Sequence, residues 1–348
     1  MRRHLLLLTL LLPLLAATGR GQEAASGPAR EPIPATAPAR LDEVAARAEF
    51  WLSRSACPDG GYGYREGGEA FTAPTALAVL ALQTGPVRDR AMQWLRDAQL
   101  PDGAWPVCRG DSEGSWMTSV AVAALAGSSA DAGRVAAGRR WLLESCLAYR
   151  AQNKPAPGWP WTPSTAPWVE PTAWALVALR DAPASGRVAE AAAYLASEMN
   201  REGGWSLYDA RPYPYHTSLV LLAIDGLAAG LASGAQLSQA RVHARAYLEG
   251  ALGEKSSELE LAWGLWALST GLPELDQMAR IGGALASRRK ADGSWGQSPW
   301  LTAAAVVALR SLHGRDPLRQ EPDGSRRQPS APAPNGGAST RGGQPDGR

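Results

Sequence analysis

Trp94-Leu95-Arg96-Asp97-Ala98-Gln99-Leu100-Pro101-Asp102-Gly103-Ala104-Trp105 is the stretch on which the fold turns, because its skeleton returns along the chain. An aromatic–Leu pair is followed, seven residues after the Leu, by an acid, a glycine, a small residue and an aromatic. Trp51-Leu52 leads in this way to Asp59-Gly60-Gly61-Tyr62, and Tyr194-Leu195 to Glu202-Gly203-Gly204-Trp205. Ala284-Leu285 leads to Asp292-Gly293-Ser294-Trp295 and lacks only the first aromatic. Self-similarity at a near-constant period is the signature of stacked supersecondary units.

Each copy has a second half, a small, apolar, Ala-rich run opened by Thr. The runs are Thr75–Leu82, Thr118–Leu125, Thr172–Leu179, Thr217–Ile224 and Thr302–Leu309; a sixth, Leu261–Leu268, has lost the Thr. Degenerate first halves at Trp141-Leu142 and Tyr247-Leu248 complete six units. The first half, as in 88–99, spaces its apolar residues at helical intervals with charges between them, which predicts a half-exposed helix. The second half is apolar nearly all round, which predicts a buried one. Alanine favours helix and lets neighbours approach closely. Pro74 and Pro171 fall near the expected first turn, where a missing N–H does least harm. One hairpin cannot bury its inner helix, but stacked neighbours can. The periodicity predicts twelve helices without a sheet, and leaves open whether they form an open α-superhelix or a closed ring.

Gln99-Leu100-Pro101-Asp102-Gly103-Ala104-Trp105 resembles the Gln-x-x-x-Gly-x-Trp repeat of the squalene–hopene cyclase and protein prenyltransferase β-subunit superfamily. The other copies keep the glycine and the aromatic but not the Gln. The resemblance covers residues 41–312 and implies an all-α fold, an (α/α)6 toroid of six inner and six outer helices around a central cavity. If the ring closes, units one and six touch.

The flanks read differently. Met1-Arg2-Arg3-His4 followed by the Leu-rich 5–17 and small residues is the pattern of a secretory signal peptide over 1–19, cleaved near Ala17–Gly21. The expected location is therefore exported, periplasmic or secreted, with no transmembrane span after signal removal. Residues 20–40 are a Pro/Ala-rich linker. Residues 313–348 are rich in Pro, Gly, Ser, Gln and Arg, and are expected to be a disordered tail. A net charge of +2 argues against a nucleic-acid partner. In an exported chain, Cys57, Cys108 and Cys146 allow one disulfide with one thiol left over.

The residues before each inner helix should gather at one end of a ring. Phe71, Trp116, Trp168, Tyr215 and Trp300 stand there, as candidate ligand-binding residues together with His216. Aromatic faces hold cations or apolar chains, or stack on sugars. Six helix N-termini at the same mouth favour an anionic group. Glu170, just outside a helix N-terminus, is expected to cap it and to stay ionised. Glu170, Glu258, Glu260 and Asp209 are weak catalytic candidates for a carbohydrate-active toroid, which would need two carboxyls across a cleft.

Tyr215-His216-Thr217 resembles the Tyr-His-Thr stretch of prenyltransferase β subunits, where the His is a zinc ligand beside an Asp-x-Cys pair. No Asp-x-Cys occurs in this chain. One nitrogen does not make a zinc site, so His216 is at most a weak metal candidate and no cofactor is expected. The Asp-x-Asp-Asp acid of class II terpene cyclases and an Asp-Asp-x-x-Asp metal motif are both absent. These gaps favour a binding or scaffold toroid with an aromatic-rimmed cavity, for an apolar or extended ligand or a protein partner. The alternatives are a divergent terpene cyclase or prenyltransferase, and a carbohydrate-active enzyme using Glu170 or Glu260.

Overall fold

The repeat closes on itself. The computed structural model describes residues 38–145, 150–151, 154–155, 158–161, 165–181, 186–207, 210–227, 234–271 and 275–319. Among them are twelve α-helices. The first halves form the outer layer: α1 (Pro38–Arg54), α3 (Pro86–Ala98), α5 (Ala132–Ser145), α7 (Gly186–Ser197), α9 (Gly234–Ala251) and α11 (Leu275–Ser287). The Ala-rich halves form the inner ring: α2 (Thr72–Ala81), α4 (Met117–Leu125), α6 (Val169–Leu179), α8 (Pro214–Asp225), α10 (Glu258–Ser269) and α12 (Pro299–Ser311). The inner helices pack side by side in cyclic order, and α12 returns to α2. Units one and six touch, and the architecture is a closed (α/α)6 toroid. Every residue of α4 is buried, whereas α3 buries only Ala91, Met92, Trp94, Leu95 and Ala98.

The recurring phrase has a mechanical reading. In five units the backbone N–H of the turn aromatic donates to the Thr hydroxyl of the following inner helix. The bonds run Tyr62 to Thr75 at 2.8 Å, Trp105 to Thr118 at 2.8 Å, Trp159 to Thr172 at 2.9 Å, Trp205 to Thr217 at 3.0 Å and Trp295 to Thr302 at 3.1 Å. The indole N–H then reaches back to the carbonyl of the outer-helix Leu: Leu95, Leu142, Leu195 and Leu285, at 2.6–2.8 Å. That bond fixes the Leu-to-Trp spacing. Tyr62 has no indole N–H, and its buried hydroxyl lacks a partner.

The acid works on two units at once. Asp59 and Asp102 each accept from the backbone two residues on, closing their own turn. Their second oxygens accept from Trp94 and Trp141 on the next unit's outer helix, at 2.7 and 3.1 Å. Gln99 similarly donates to Gly103 O and to Arg134 O on the next outer helix. The glycine after the acid has φ between +89° and +107° in Gly60, Gly103, Gly203 and Gly293, a region that other residues enter only with strain. At Gly103 a Cβ would also lie 2.8 Å from Ala137 O.

Several expectations are corrected here. Most inner helices start three residues before the Thr, so the Thr lies inside the first turn and not at its opening. Pro74 and Pro171 each become the third helical residue, and Pro214 and Pro299 are first. Unit five has neither the turn aromatic nor the Thr. It substitutes a capping box, in which Ser257 and Glu260 satisfy each other's backbone N–H groups. A minimal antiparallel pair, β1 (Arg150–Ala151) with β2 (Lys154–Pro155), stands between α5 and α6, where a helix-only chain was expected. It sits in the insertion that stretches unit three. Cys57 is a free thiol, Cys108 is buried, and Cys146 lies outside the described residues.

The ordered chain overruns both of its expected limits. Helix α1 begins at Pro38, inside the expected linker. Residues 313–319, expected to belong to a disordered tail, are structured. They include a 3₁₀ turn at Pro317–Arg319. Trp266 on α10 donates to Asp316 Oδ1 at 3.1 Å, and Arg180 at the end of α6 donates to Leu318 O at 2.8 Å. The same turn packs on α2. Three alternate inner helices thus anchor one segment across the C-terminal end of the ring. The signal-like 1–19 and residues 320–348 lie outside the described residues. No helix among the described residues is long and apolar enough to cross a membrane.

Thr118→Val keeps the side-chain shape and removes the acceptor, leaving the buried Trp105 N–H unpaired. The expected cost is about 1–3 kcal/mol, read as a lower urea midpoint at unchanged slope. A loss below about 0.5 kcal/mol, the range of ordinary surface substitutions, would remove the Thr from its structural role.

Candidate functional site

The other end of the ring, where the inner helices begin, holds the candidate site. Trp116 is the N-cap of α4, while Tyr215 and Trp300 are the second residues of α8 and α12. All three line a cavity on the ring axis, together with Tyr64, Trp174, Trp263 and Glu170. The cavity is small, about 10 Å³, close to the room one water needs. The rings fill the centre by packing on one another. Trp263 meets Tyr215 and Trp174 edge-on, at 5.3 and 5.7 Å between centroids. Trp300 lies 6.2 Å from Trp263 and 6.1 Å from Tyr64. Tyr215, Trp174 and Trp263 are buried, whereas Trp116, Trp300 and Tyr64 are partly exposed. A second hollow of about 20 Å³ lies beside the first, on the far face of Trp116, with Trp161 and Trp159 in its wall. Trp116 and Trp161 stack edge-to-face at 4.9 Å.

Phe71 and Trp168, expected at this centre, do not line the cavity. They are the N-cap residues of α2 and α6. Phe71 stacks outward on Tyr64 at 5.4 Å, and the Trp168 backbone is held by Trp159 O. Trp174 and Trp263 replace them, and sequence reasoning missed both. The available signal was a bulky ring inside a run otherwise made of small residues.

Glu170 contradicts its expected role as a cap. It is the second residue of α6, but no side chain caps that helix. Its carboxyl, buried with 5% exposure, accepts from the Tyr215 hydroxyl at 2.6 Å. Burial pushes its pKa from the ordinary 4.5 up to about 7, against the pull of the Tyr215 bond. Desolvation therefore outweighs the helix dipole, which was expected to keep the group ionised. His216 Nε2 stands 3.8 Å from Glu170 Oε2, too far for a hydrogen bond. Burial pushes His216 down to about 4, so the imidazole is neutral near pH 7. Both His216 nitrogens and Trp263 Nε1 are buried without a hydrogen-bond partner. Tyr215 and Tyr64 are pushed upward, first by burial and then by Glu170.

The remaining acids separate from the site. Glu260 is spent in the capping box, its Oε2 accepting from Ser257 N at 2.6 Å. It does not face Glu170 and is withdrawn as a catalytic candidate. Glu258 is raised by burial but is absent from the cavity wall. Asp209 lies outside the described residues. Among the described residues, no three His, Cys, Asp or Glu side chains gather as a metal site. What the centre offers is one buried acid, a neutral imidazole beside it, and a wall of aromatic faces.

Neither family models nor curated protein sequences give a match to this chain. Solved structures do. The type II terpene cyclase MstE from Scytonema superposes with a TM-score of 0.61 at 16% identity, over 80% of this chain and 99% of the other. A protein from Actinoplanes gives 0.60 at 18%, over 78% and 99%. A Salmonella enterica protein described as a possible member of the GH105 family gives 0.55 at 14%, over 85% and 100%. At such identities the likeness is one of fold, and it agrees with the (α/α)6 toroid. Function is set by the site and not by the fold.

Glu170 gives a pH signature. A raised folded-state pKa means a stabilising contribution that is full below the unfolded value of 4.5 and lost as pH rises through about 7. His216, depressed to about 4, works oppositely, its contribution being lost as pH falls from 6.5 through that value. The variant-minus-parent difference isolates the first group. Glu170→Gln should gain on the parent as pH rises from about 4.5 to 8, by up to about 3 kcal/mol, in urea titrations across that range. A pH-independent difference would contradict the buried, uncompensated carboxyl.

Proposed function

We propose that the protein is an exported toroid that binds an apolar or extended ligand at its aromatic mouth and performs no chemistry on it. The observation that carries this reading is the state of the ring centre. Six rings leave about 10 Å³, far below the ~300–1,000 Å³ of a site that encloses a small-molecule substrate. A ligand would therefore lie against the partly exposed faces of Trp116, Trp300 and Tyr64 and enter by displacing them. The acid set supports the same reading. Among the described residues Glu170 has no second carboxyl within the cavity wall, which leaves the two-acid chemistry of glycoside cleavage without a partner group there. Export rests on the signal-like pattern of residues 1–19.

A second reading has one specific observation in its favour. Glu170, raised to about 7, is about half protonated near neutral pH among aromatic faces. A group of that kind can donate a proton to an alkene, with the faces stabilising the positive charge that forms. This is the divergent terpene-cyclase reading, and the fold likeness to MstE is compatible with it.

One experiment separates the two. Farnesol is titrated into the purified protein while tryptophan fluorescence is followed, and the lipid is then extracted and analysed. The expected result is a saturable fluorescence change, lost in Trp116→Ala and Trp300→Ala variants that still melt cooperatively, with farnesol recovered intact. Recovery of a cyclic isomer, absent with Glu170→Gln, would replace the binding reading by the enzymatic one. If both Trp variants unfold, the rings are core wedges and the mouth loses its case.

A further inference from the structure

Resting on that binding reading, we propose that the mouth selects ligands bearing a primary ammonium on an apolar chain, with the ammonium held between the Glu170 carboxyl and the surrounding ring faces. The starting point is a charge imbalance on the ring axis. Glu170 is buried there, and among the described residues no Lys or Arg lines the cavity. Among the described residues its one hydrogen-bond donor is the neutral hydroxyl of Tyr215. The neighbouring imbalance cannot be corrected by His216, whose ring is neutral and too distant to donate well. A buried carboxylate without a cation is unfavourable, and a ligand that brings the cation removes the penalty.

The wall suits a cation. Trp116, Trp174, Trp263 and Trp300 surround the carboxyl, and an ammonium close to an indole face is attracted by the ring quadrupole. Acceptors are also present. Tyr215 donates its proton to Glu170 Oε1, so its oxygen keeps lone pairs for an N–H group, and Tyr64 contributes another hydroxyl. Six helix N-termini would by themselves favour an anion at this end, yet the anion is supplied by the protein, and the place beside it is open to positive charge.

Size restricts the head group. The cavity of about 10 Å³ takes one water-sized body. A primary ammonium is of that size, whereas a trimethylammonium is several times larger. The chain attached to it would pass outward between Trp116 and Trp300, the partly exposed rings of the wall. One feature points elsewhere: Trp263 Nε1 is buried without a partner and would suit an acceptor such as a hydroxyl. An alcohol with the same chain is for that reason the decisive control.

The test uses octylamine, octanol and octyltrimethylammonium as probes, with affinity read by calorimetry and by tryptophan fluorescence. At about pH 8.5 octylamine should bind tighter than octanol by about tenfold or more, and tighter than the trimethyl compound. Glu170→Gln should abolish the preference for amine over alcohol while leaving octanol within about threefold. Among the described residues the polar groups beside the carboxyl are Tyr64 from the loop after α1 and Tyr215 and His216 from α8; α2 presents Ala73 and Leu77, α4 Trp116 and Val120, and α6, α10 and α12 Trp174, Trp263 and Trp300. Tyr64 and Tyr215 titrate far above this range and His216 near 4, so Glu170 alone changes charge between about pH 5.5 and 8.5. Octylamine affinity of the parent protein should therefore fall across that interval as pH drops, and octanol affinity should not. This second readout stands even if Glu170→Gln fails to fold. Equal binding of amine and alcohol overturns the cationic head and leaves the mouth as a binding site. Tighter binding of octyltrimethylammonium overturns the size restriction and with it the proposal. Failure of all three probes overturns the binding reading itself.

Discussion

Everything in this ring hangs on a hydrogen bond between a turn and the helix after it. A backbone N–H on the turn aromatic is driven into the core by its own side chain and has to find an acceptor there. In five units the Thr hydroxyl supplies it. The same hydroxyl donates to a backbone carbonyl, for example Phe71 O from Thr75 at 2.7 Å. One side-chain oxygen therefore fixes the phase of an inner helix against the loop that precedes it. With the phase fixed, the same face of every inner helix turns to the axis. The indole bond to the outer-helix Leu carbonyl sets the height of the outer layer, and the acid ties the turn to the next unit. These bonds, all three of them present in unit two and two of them in four of the others, propagate a register around the ring, until α12 meets α2.

Fixing the phase also decides what occupies the axis. Most axial positions are Ala or another small residue, which lets six helices close tightly. The few large ones, Trp174 and Trp263 within helices and Trp116, Tyr215 and Trp300 at their starts, fill the resulting space. A wholly apolar filling would be the stable choice. Glu170 departs from it, since its ionised form is disfavoured by the burial that raises its pKa. Stability does not account for a carboxyl at this position. Its placement among ring faces, in contact with a second polar side chain, is an arrangement suited to a ligand or a proton and not to packing.

The fold was legible because a Leu carbonyl and an indole N–H ten residues later leave a rigid trace in the sequence. Where that trace is stretched, reading fails. In unit three the same bond joins Leu142 to Trp159 across an insertion, so Gly158-Trp159 passed unnoticed as a turn. The site was less legible for a related reason. Standing before an inner helix does not decide whether a ring points inward, because positions two and four residues before the Thr differ in direction by about half a turn. Phe71 and Trp168 stand four residues before the Thr and do not line the cavity, whereas Trp116, Tyr215 and Trp300 stand two before it and do. Trp174 and Trp263 were hidden because an aromatic inside an apolar run reads as ordinary core. Glu170 was misread because the helix dipole is visible in sequence position while the depth of burial is not. Glu260 looked as exposed to the cavity as Glu170 until the capping box with Ser257 claimed it.

The two ends of the ring are unequal, and this bears on how a ligand would come and go. Residues 313–319 cross the C-terminal end and are pinned through Asp316 to Trp266 and through Leu318 to Arg180, helices on different sides of the axis. The half-buried Arg180 guanidinium and the buried Asp316 carboxyl give that segment a polar seat in place of an open hole. Among the described residues no such strap covers the opposite end, where partly exposed rings stand. The toroid is therefore a blind cup and not a tunnel. A ligand bound as proposed would leave by the same mouth, with its head toward Glu170 and its remainder trailing outward. A cup of this depth reads the end of a molecule, while the length beyond the mouth is left unmeasured. Recognition of a terminal group on a chain of any length follows from that geometry.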